Sequence, residues 1–477
     1  MSQRASFRSQ VLIAAAVAAA VSGTASAQAQ LEEIIVTARR TAESLQETPI
    51  SVTAFTAESI ERRGIRNVQD LVRFTPGLSF DKGFAPQDTR PNIRGLPTTR
   101  GRPPIGILLD GIDISSESIA TAGGSNLMNL KLVDVERIEV VKGPQSALYG
   151  RVAFGGAINY VSKKPNFANE EGTASLDVAT DGLYEARGAV NIPVSDTAAW
   201  RINGIYSKFD GYFKNEISGE KLGGWDTKGI AAALRLKPTD NSDYTLRMSY
   251  SDDRAEPRPS YYFGQAVAGR NTSLALPANA VGLRLGVNAS LAPLPASIRY
   301  PQLGEAQSGG QVFLSVDPLT GKDYEGGKLK ASIASLVGDV DFGYAKLSTW
   351  TGYTHATALS RADADFYAQP ATAVKIPLAG LYDPLYAAQV TDIATTANQL
   401  SQEIRLSHLD GEGLRWAVGA LYWKEDYTSV NASLFISGFS RNAPIPGPAF
   451  PTGWSAAAEI AARGTIPGDL NYRNTRS

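Results

Sequence analysis

The chain has 477 residues, with 46 Lys and Arg against 47 Asp and Glu and a net charge of −1. Near-neutral charge excludes the broad basic field of a nucleic-acid binder. With no cysteine and only two histidines, His355 and His408, the composition argues against a dedicated zinc or copper site.

Arg4 and Arg8 precede the apolar run Val11–Val21, and Ala25-Ser26-Ala27 supplies small residues at cleavage positions. The pattern predicts a secretory signal peptide over residues 1–27, too short to span a bilayer. The mature chain then starts at Gln28, or at Gln30 if cleavage follows Ala27-Gln28-Ala29. No later stretch holds the roughly 18 consecutive apolar residues of a membrane helix. An exported chain of this kind is soluble or a membrane β-barrel.

Residues 28–46 read as a linker with one β-prone run, Glu33-Ile34-Ile35-Val36-Thr37-Ala38. Alone, that run reads as an edge strand. Residues 47–165 read as a small α/β domain. Pro49–Phe55 alternates as a strand, and Thr56 caps a short helix that Gly64 stops. Val68–Phe74 is a second helix, ended by Thr75-Pro76-Gly77, and Ile105–Leu109 is an apolar strand entering the turn Asp110-Gly111. Within residues 135–165, the strand Ile138–Val141 breaks at Gly143-Pro144. The chain bends at Tyr149-Gly150 and Gly155-Gly156, then resumes as the strand Ala157–Ser162. Glycines at that density permit tight turns and close backbone approach, as in a small domain packed inside something else.

Residues 166–477 have a different texture. Trp200, Ile202 and Tyr206 alternate with Arg201, Asn203 and Ser207, and Tyr244, Leu246, Met248 and Tyr250 with Thr245, Arg247 and Ser249. Ile404 and Leu406 are set against Glu403, Arg405 and Ser407, and Trp416, Val418, Ala420 and Tyr422 share a side. A soluble sandwich also alternates. A membrane barrel is favoured by aromatic residues near strand ends and by export. It is also favoured by short turns such as Ser195-Asp196 and Asp410-Gly411 between long connections, the longest Arg254–Tyr324.

Several segments, in order, resemble motifs of TonB-dependent outer-membrane receptors. Glu32–Arg40, EEIIVTARR, resembles a TonB box. Thr75-Pro76-Gly77-Leu78, Asn92-Ile93-Arg94-Gly95 and Leu108-Leu109-Asp110-Gly111 resemble the plug's TPG, IRG and LDG motifs. VERIEVVKGPQSALYG, leading into GGAINYVSKKP, resembles its last strand pair, and Ser401–Leu406 resembles a recurrent barrel strand.

The resemblance implies a mainly β fold, a transmembrane antiparallel β-barrel of 22 strands with an N-terminal α/β plug in the lumen. About half of those strands are present, which implies a barrel domain, 166–477, incomplete at its C-terminus, a fragment or truncated product. The box following the signal directly implies no extra periplasmic signalling domain. The implied function is active uptake of a scarce ligand across the outer membrane of a Gram-negative bacterium, a ferric siderophore first. The alternatives are a cobalamin, carbohydrate or aromatic ligand, or a passive channel.

The implied partners are the TonB C-terminal domain in the periplasm, energised by a proton-driven inner-membrane complex, a small extracellular ligand and outer-membrane lipid. Glu33 to Ala38 would bind TonB by adding a strand to its sheet edge. Arg94 and Lys142 would form plug–barrel ion pairs, with Glu403 on the inner wall as acidic partner, or else satisfy local carbonyls. Arg100, Arg102, Tyr261, Tyr262 and Phe263 lie in predicted outer loops, where arginine and aromatics suit an anionic aromatic ligand. A haem receptor would be expected to supply histidines from its plug, and this plug has none. No cofactor is expected and no catalytic constellation occurs. The Gly-rich stretch 143–156 lacks the Gly-Lys-Ser/Thr ending of a P-loop.

Overall fold

A computed structural model describes, with short gaps, residues 34–116, 134–259, 322–363, 387–408, 416–437 and 470–476. The chain divides into two compact units, residues 1–49 and 50–477.

In the first unit, β1 (Ile35–Val36) pairs antiparallel with β2 (Glu43–Ser44), Ile35 opposite Ser44 and Val36 opposite Glu43. The Leu45 amide donates to the Ile34 carbonyl at 2.9 Å and extends the ladder by one bond.

The second unit begins with β3 (Val52–Thr56) and α1 (Ala57–Arg62). The Thr56 hydroxyl accepts from the Ser59 amide at 3.3 Å, the cap its position predicts. Gly64 ends the turn at φ 63°. The second predicted helix is shorter, α2 (Val68–Leu71), and continues as a 3-10 turn over Val72–Phe74. Next come β4 (Leu78–Lys82) and β5 (Thr89–Ile93), an antiparallel hairpin. Leu78 and Ile93 face each other at its base and both enter the core, which pins the register there.

β6 (Ile105–Leu109) is buried along its whole length. It runs parallel to β9 (Gly156–Ser162), which explains its unbroken apolar run. With β7 (Ile112–Asp113) and β8 (Val135–Lys142) these strands form a sheet in the order β3-β8-β9-β6-β7. α3 (Ser146–Tyr149), absent from the sequence expectation, sits inside the glycine-dense segment. Gly156 has φ 144°, and a Cβ there would lie 2.4 Å from the Val141 carbonyl oxygen. That is the close approach the glycine density predicts. The core gathers Phe55, Leu71, Ile93, Ile107, Ile138, Val140 and Ile158.

The remaining strands form one large antiparallel sheet and one separate two-stranded hairpin. They are β10 (Glu171–Ala179), β11 (Leu183–Ser195), β12 (Ala198–Phe209), the small outer hairpin β13 (Phe213–Lys214) and β14 (Lys221–Leu222), β15 (Trp225–Leu236) and β16 (Ser242–Ala255). They continue with β17 (Gly326–Asp341), β18 (Ala345–Asp363), β19 (Ala387–His408), β20 (Ala417–Ser437) and β21 (Leu470–Arg476). Apart from the outer hairpin, they follow in chain order as the wall of a β-barrel, with β10 and β21 at its two ends among the described residues. At one end the connections are short: 196–197, 237–241, 342–344 and 409–416. At the other they include 210–224, 256–325 and 364–386.

Alternation sets the two faces of this wall. On β12, Arg201, Asn203 and Ser207 are buried, whereas Trp200, Ile202 and Tyr206 remain 38–39% exposed. Met248 and Tyr250 share the outward face of β16, and Arg247 is buried on the inward face. Large apolar side chains held outward are what a lipid-facing surface requires. Among the described residues no helix is long and apolar enough to cross a membrane.

Candidate functional site

The site is the seam between the plug, the α/β domain built on β3 to β9, and the inner face of the wall. It is built on a chain hand-over. After β9 the chain leaves the plug through Lys163-Lys164-Pro165, and each step is tied down. The Ser162 amide donates to Asp110 Oδ1 at 2.7 Å, and the Lys163 amide to the Asp134 carbonyl at 3.0 Å. Arg247 Nη2 of β16 donates to the Lys163 carbonyl at 3.1 Å, and Arg235 Nη1 of β15 to the Pro165 carbonyl at 3.1 Å. Arg235 is itself held by a two-point ion pair with Asp243.

Two plug aspartates receive wall arginines. Asp110 and Asp134 both stand at positive φ, 52° and 62°, in turns that aim their carboxylates outward from the plug. Arg201 meets Asp134 through the Nε–Nη2 edge of its guanidinium, Nε to Oδ2 and Nη2 to Oδ1 at 2.6 Å, and Asn203 adds a bond to Oδ2 at 3.3 Å. Arg247 Nε lies 3.6 Å from Asp110 Oδ2. A cavity of about 70 Å³ lined by Leu109, Val135, Asn203, Arg247 and Ile333 separates plug from wall beside these pairs. It has room for water next to polar groups.

Further round the wall the contacts are mostly to plug main chain. Arg405 Nη2 donates to the Leu148 carbonyl at 3.3 Å and Gln399 Nε2 to the Asp113 carbonyl at 2.8 Å. Apolar contact is also made: Ile333 of β17 joins the plug core. Gly352 of β18 leaves space for Ile112, since a Cβ there would lie 2.4 Å from Ile112 Cγ2.

Inside the plug, Glu139 is fully buried. It accepts from Arg137 Nε at 2.8 Å and from Asn159 Nδ2 at 3.3 Å. Asn159 Oδ1 accepts from the Gly111 amide at 3.1 Å, so this chain of bonds fixes the turn that carries Asp110.

The residues singled out from sequence fall as follows. Lys142 Nζ donates to the Pro76 carbonyl at 3.4 Å, a local partner. Arg94 is exposed at φ 54°, its amide donating to the Gly77 carbonyl at 2.8 Å and its guanidinium lying against Gly143. Glu403 faces inward but pairs with Arg405 on its own strand at 2.9 Å. The structure therefore does not bring Arg94 and Glu403 together. Ile34, Ile35, Val36 and Thr37 lie in or beside the β1–β2 hairpin. Glu33, Ala38, Arg100, Arg102, Tyr261, Tyr262 and Phe263, and the signal-peptide stretch 1–27, lie outside the described residues. Asp134 carried no motif in the sequence. Arg201 and Arg247 were visible only as polar members of an inward face.

Residues 44–157 match the family model for the TonB-dependent receptor plug domain. The chain is 27% identical to a ferrioxamine receptor of Yersinia enterocolitica over 216 residues, 45% of this chain and 28% of that protein. It is 25% identical to a vitamin B12 transporter, BtuB, of Photobacterium profundum over 230 residues, 48% of this chain and 36% of that protein. The chain thus spans about a third of the length of the curated relatives it matches. Among solved structures, the siderophore receptor PiuA of Acinetobacter baumannii aligns with TM-score 0.58 and 17% identity, over 91% of this chain and 54% of that one. The ferric yersiniabactin uptake receptor FyuA of Yersinia pestis aligns with TM-score 0.56 and 18% identity, over 81% of this chain and 50% of that one.

Proposed function

We propose that this chain, which carries a TonB-dependent receptor plug domain and barrel strands of that fold, serves energised uptake of a scarce ligand across the outer membrane. A ferric siderophore is the first candidate, since a ferrioxamine receptor and siderophore-receptor structures are among its relatives. Cobalamin is the second reading, favoured by the vitamin B12 transporters among them. The observation that carries the transport reading is the seam. Among the described residues the plug is held to the wall chiefly by ion pairs and hydrogen bonds, centred on Arg201–Asp134 and Arg247 with the hand-over strand. Such contacts fix orientation yet exchange for water once opened, unlike a packed apolar interface. A passive channel has no use for a stopper held this way.

In this reading the segment 33–38 hands its main-chain edge to TonB, and force applied there is transmitted toward the plug. Arg100, Arg102 and the aromatic cluster Tyr261-Tyr262-Phe263 face the ligand. Uptake of radiolabelled ligand by cells that depend on this protein tests the reading, with iron-labelled ferrioxamine and cobalt-labelled cyanocobalamin as the two probes. Uptake of one that stops when the proton gradient is collapsed supports it. Uptake that persists without the gradient would leave a passive pore.

A further inference from the structure

We infer that the β13–β14 hairpin is a clasp for the connection 256–325, with Asn215 as the latch that fastens the connection's returning limb. The inference concerns how two neighbouring connections are coupled. It goes beyond ligand uptake and does not depend on it.

The connection 210–224, which carries the hairpin, grips the connection 256–325 at both limbs. At the departing limb, the Gly223 amide donates to the Pro257 carbonyl at 3.2 Å and the Glu256 amide to the Gly224 carbonyl at 3.0 Å. The Gly224 amide donates back to Glu256 Oε2 at 3.0 Å. A Cβ at Gly224 would lie 2.3 Å from the Phe209 carbonyl oxygen and 2.8 Å from Glu256 Oε2, so this close approach requires glycine.

At the returning limb the hairpin meets Val312 and Leu314, also among the described residues. Val312 bridges Asn215 in parallel, and the Glu216 amide donates to the Val312 carbonyl at 2.9 Å. Leu222 of β14 buries itself against Val312 and Leu314. Asn215 is fully buried. Its Oδ1 accepts from the Leu314 amide at 3.1 Å, and its Nδ2 donates to the Leu314 carbonyl at 3.0 Å and to Asp323 Oδ1 at 2.6 Å. The exchange with Leu314 copies a strand-pair bond with a side-chain amide in place of a peptide. A primary amide is suited to this, because it accepts at one atom and donates twice at the other. Asp323 lies just before β17, so the latch closes where the limb re-enters the wall.

The ordinary task of an asparagine in a hairpin is to hold its own turn. Here the main chain does that. The Asn215 amide donates to the Glu220 carbonyl at 2.9 Å, and the Gly219 amide to the Asn215 carbonyl at 2.8 Å. The three side-chain bonds instead reach partners 99 and 108 positions away. The chain therefore leaves and rejoins one hairpin. A displacement of the connection 256–325 passes to β12 and β15, which flank that hairpin, as well as to β16 and β17. The limbs are fastened differently. Two main-chain bonds and Glu256 hold the departing limb, whereas one main-chain bond and the Asn215 side chain hold the returning one. Losing the Asn215 donors should free the returning limb alone, a local opening that leaves the wall intact.

The test is hydrogen–deuterium exchange on the full chain in mild detergent. Asn215→Asp keeps the size and the acceptor for the Leu314 amide. It removes both donors and sets a carboxylate against the Leu314 carbonyl and Asp323. Amide exchange over 312–325 should rise at least about tenfold. Residues 256–259 and the hairpin pairs Phe213–Leu222 and Lys214–Lys221 should keep their protection. Adding Asp323→Asn returns a donor from the other side of the latch and should recover most of the loss. Asp323→Leu, outside the wall strands, removes one acceptor without touching the hairpin, and should raise exchange over 312–325 severalfold.

Unchanged exchange over 312–325 in both Asn215→Asp and Asp323→Leu would overturn the inference. So would equal loss of protection in the hairpin and both limbs that Asn215→Asp/Asp323→Asn does not recover, because Asn215 would then support that end as a whole. Should Asn215→Asp not fold, the Asp323→Leu result alone decides: a rise confined to 312–325 supports the latch, and no rise refutes it. Ligand uptake is not the readout, so a failed latch leaves the transport reading standing, and the reverse holds too.

Discussion

Arg201 on the wall grips Asp134 on the plug through two parallel hydrogen bonds, with the side chains only 3% and 8% exposed. A two-point guanidinium–carboxylate pair is the strong form of this interaction, and burial removes the competing water. Removing one partner is costly because it leaves the other charge buried alone. Arg201→Met should therefore destabilise plug seating by about 3–5 kcal/mol, read as a lower urea midpoint for a label on the plug. Adding Asp134→Asn, which tolerates the positive φ, should recover most of the loss. A single variant as stable as wild type would remove the pair from the account of the seam.

Gly352 and Ile112 form the apolar counterpart of that pair. A Cβ at 352 would lie 2.4 Å from Ile112 Cγ2 and 3.0 Å from Ser401 Oγ. Gly352→Ala should cost about 1–3 kcal/mol, the usual penalty of overpacking. Gly352→Ala/Ile112→Ala should relieve it, since the offending methyl is gone. Limited proteolysis of the plug is the measurement, and a double variant cleaved as fast as the single one would refute direct contact.

The faces of the wall were legible from sequence because a strand has period two. Arg201, Asn203 and Ser207 went in and Trp200, Ile202 and Tyr206 went out as that period requires. β6 was legible from its unbroken apolar run. What the plug touches was not. Asp134 and Arg201 are 67 residues apart, and their meeting depends on how a folded domain seats against a wall, which no local pattern encodes. The Glu403 expectation shows where such reasoning slips. A cation two residues away on the same face, Arg405, is the nearer partner by period alone, and it is the one Glu403 takes. The β4–β5 hairpin was not legible, because Ser79–Pro91 is a mostly polar stretch. Its pairing is set at the base by Leu78 and Ile93.

The β1–β2 hairpin offers a test of the proposed TonB contact. Ile35 and Ser44 face each other without exchanging main-chain bonds, the closer kind of antiparallel pair, at Cα separations of about 4.5 Å. That distance falls within disulfide reach. The chain has no cysteine, so Ile35→Cys/Ser44→Cys would form a unique bridge. If Ile35 and Val36 must leave this hairpin to pair with TonB, the oxidised variant should lose ligand uptake almost entirely and regain it on mild reduction. Either single cysteine should be silent. Undiminished uptake by the oxidised form would mean that the segment works without leaving its partner strand.

Glu256 and Asp323, both half-buried and outside the spanning strands at the long-connection end, should make that end sensitive to pH. Burial pushes both carboxyls above their ordinary range, and neighbouring acids push the same way, Asp210, Asp323 and Glu220 on Glu256, and Glu220 on Asp323. Opposing bonds from the Gly224 amide at 3.0 Å and from Asn215 Nδ2 at 2.6 Å do not cancel this. A carboxyl whose pKa is raised by folding penalises the folded state when ionised, so the penalty is full above the raised pKa and fades as pH falls through it. Local packing should therefore tighten on acidification. Amide protection across 210–224 and 256–259, corrected for intrinsic exchange, should rise severalfold from about neutral pH to about pH 5. Glu256→Gln retains an oxygen acceptor for the Gly224 amide and removes the charge. It should show the tighter packing already at neutral pH and a flatter profile. Protection that falls with acidification in the wild type would contradict the assigned direction.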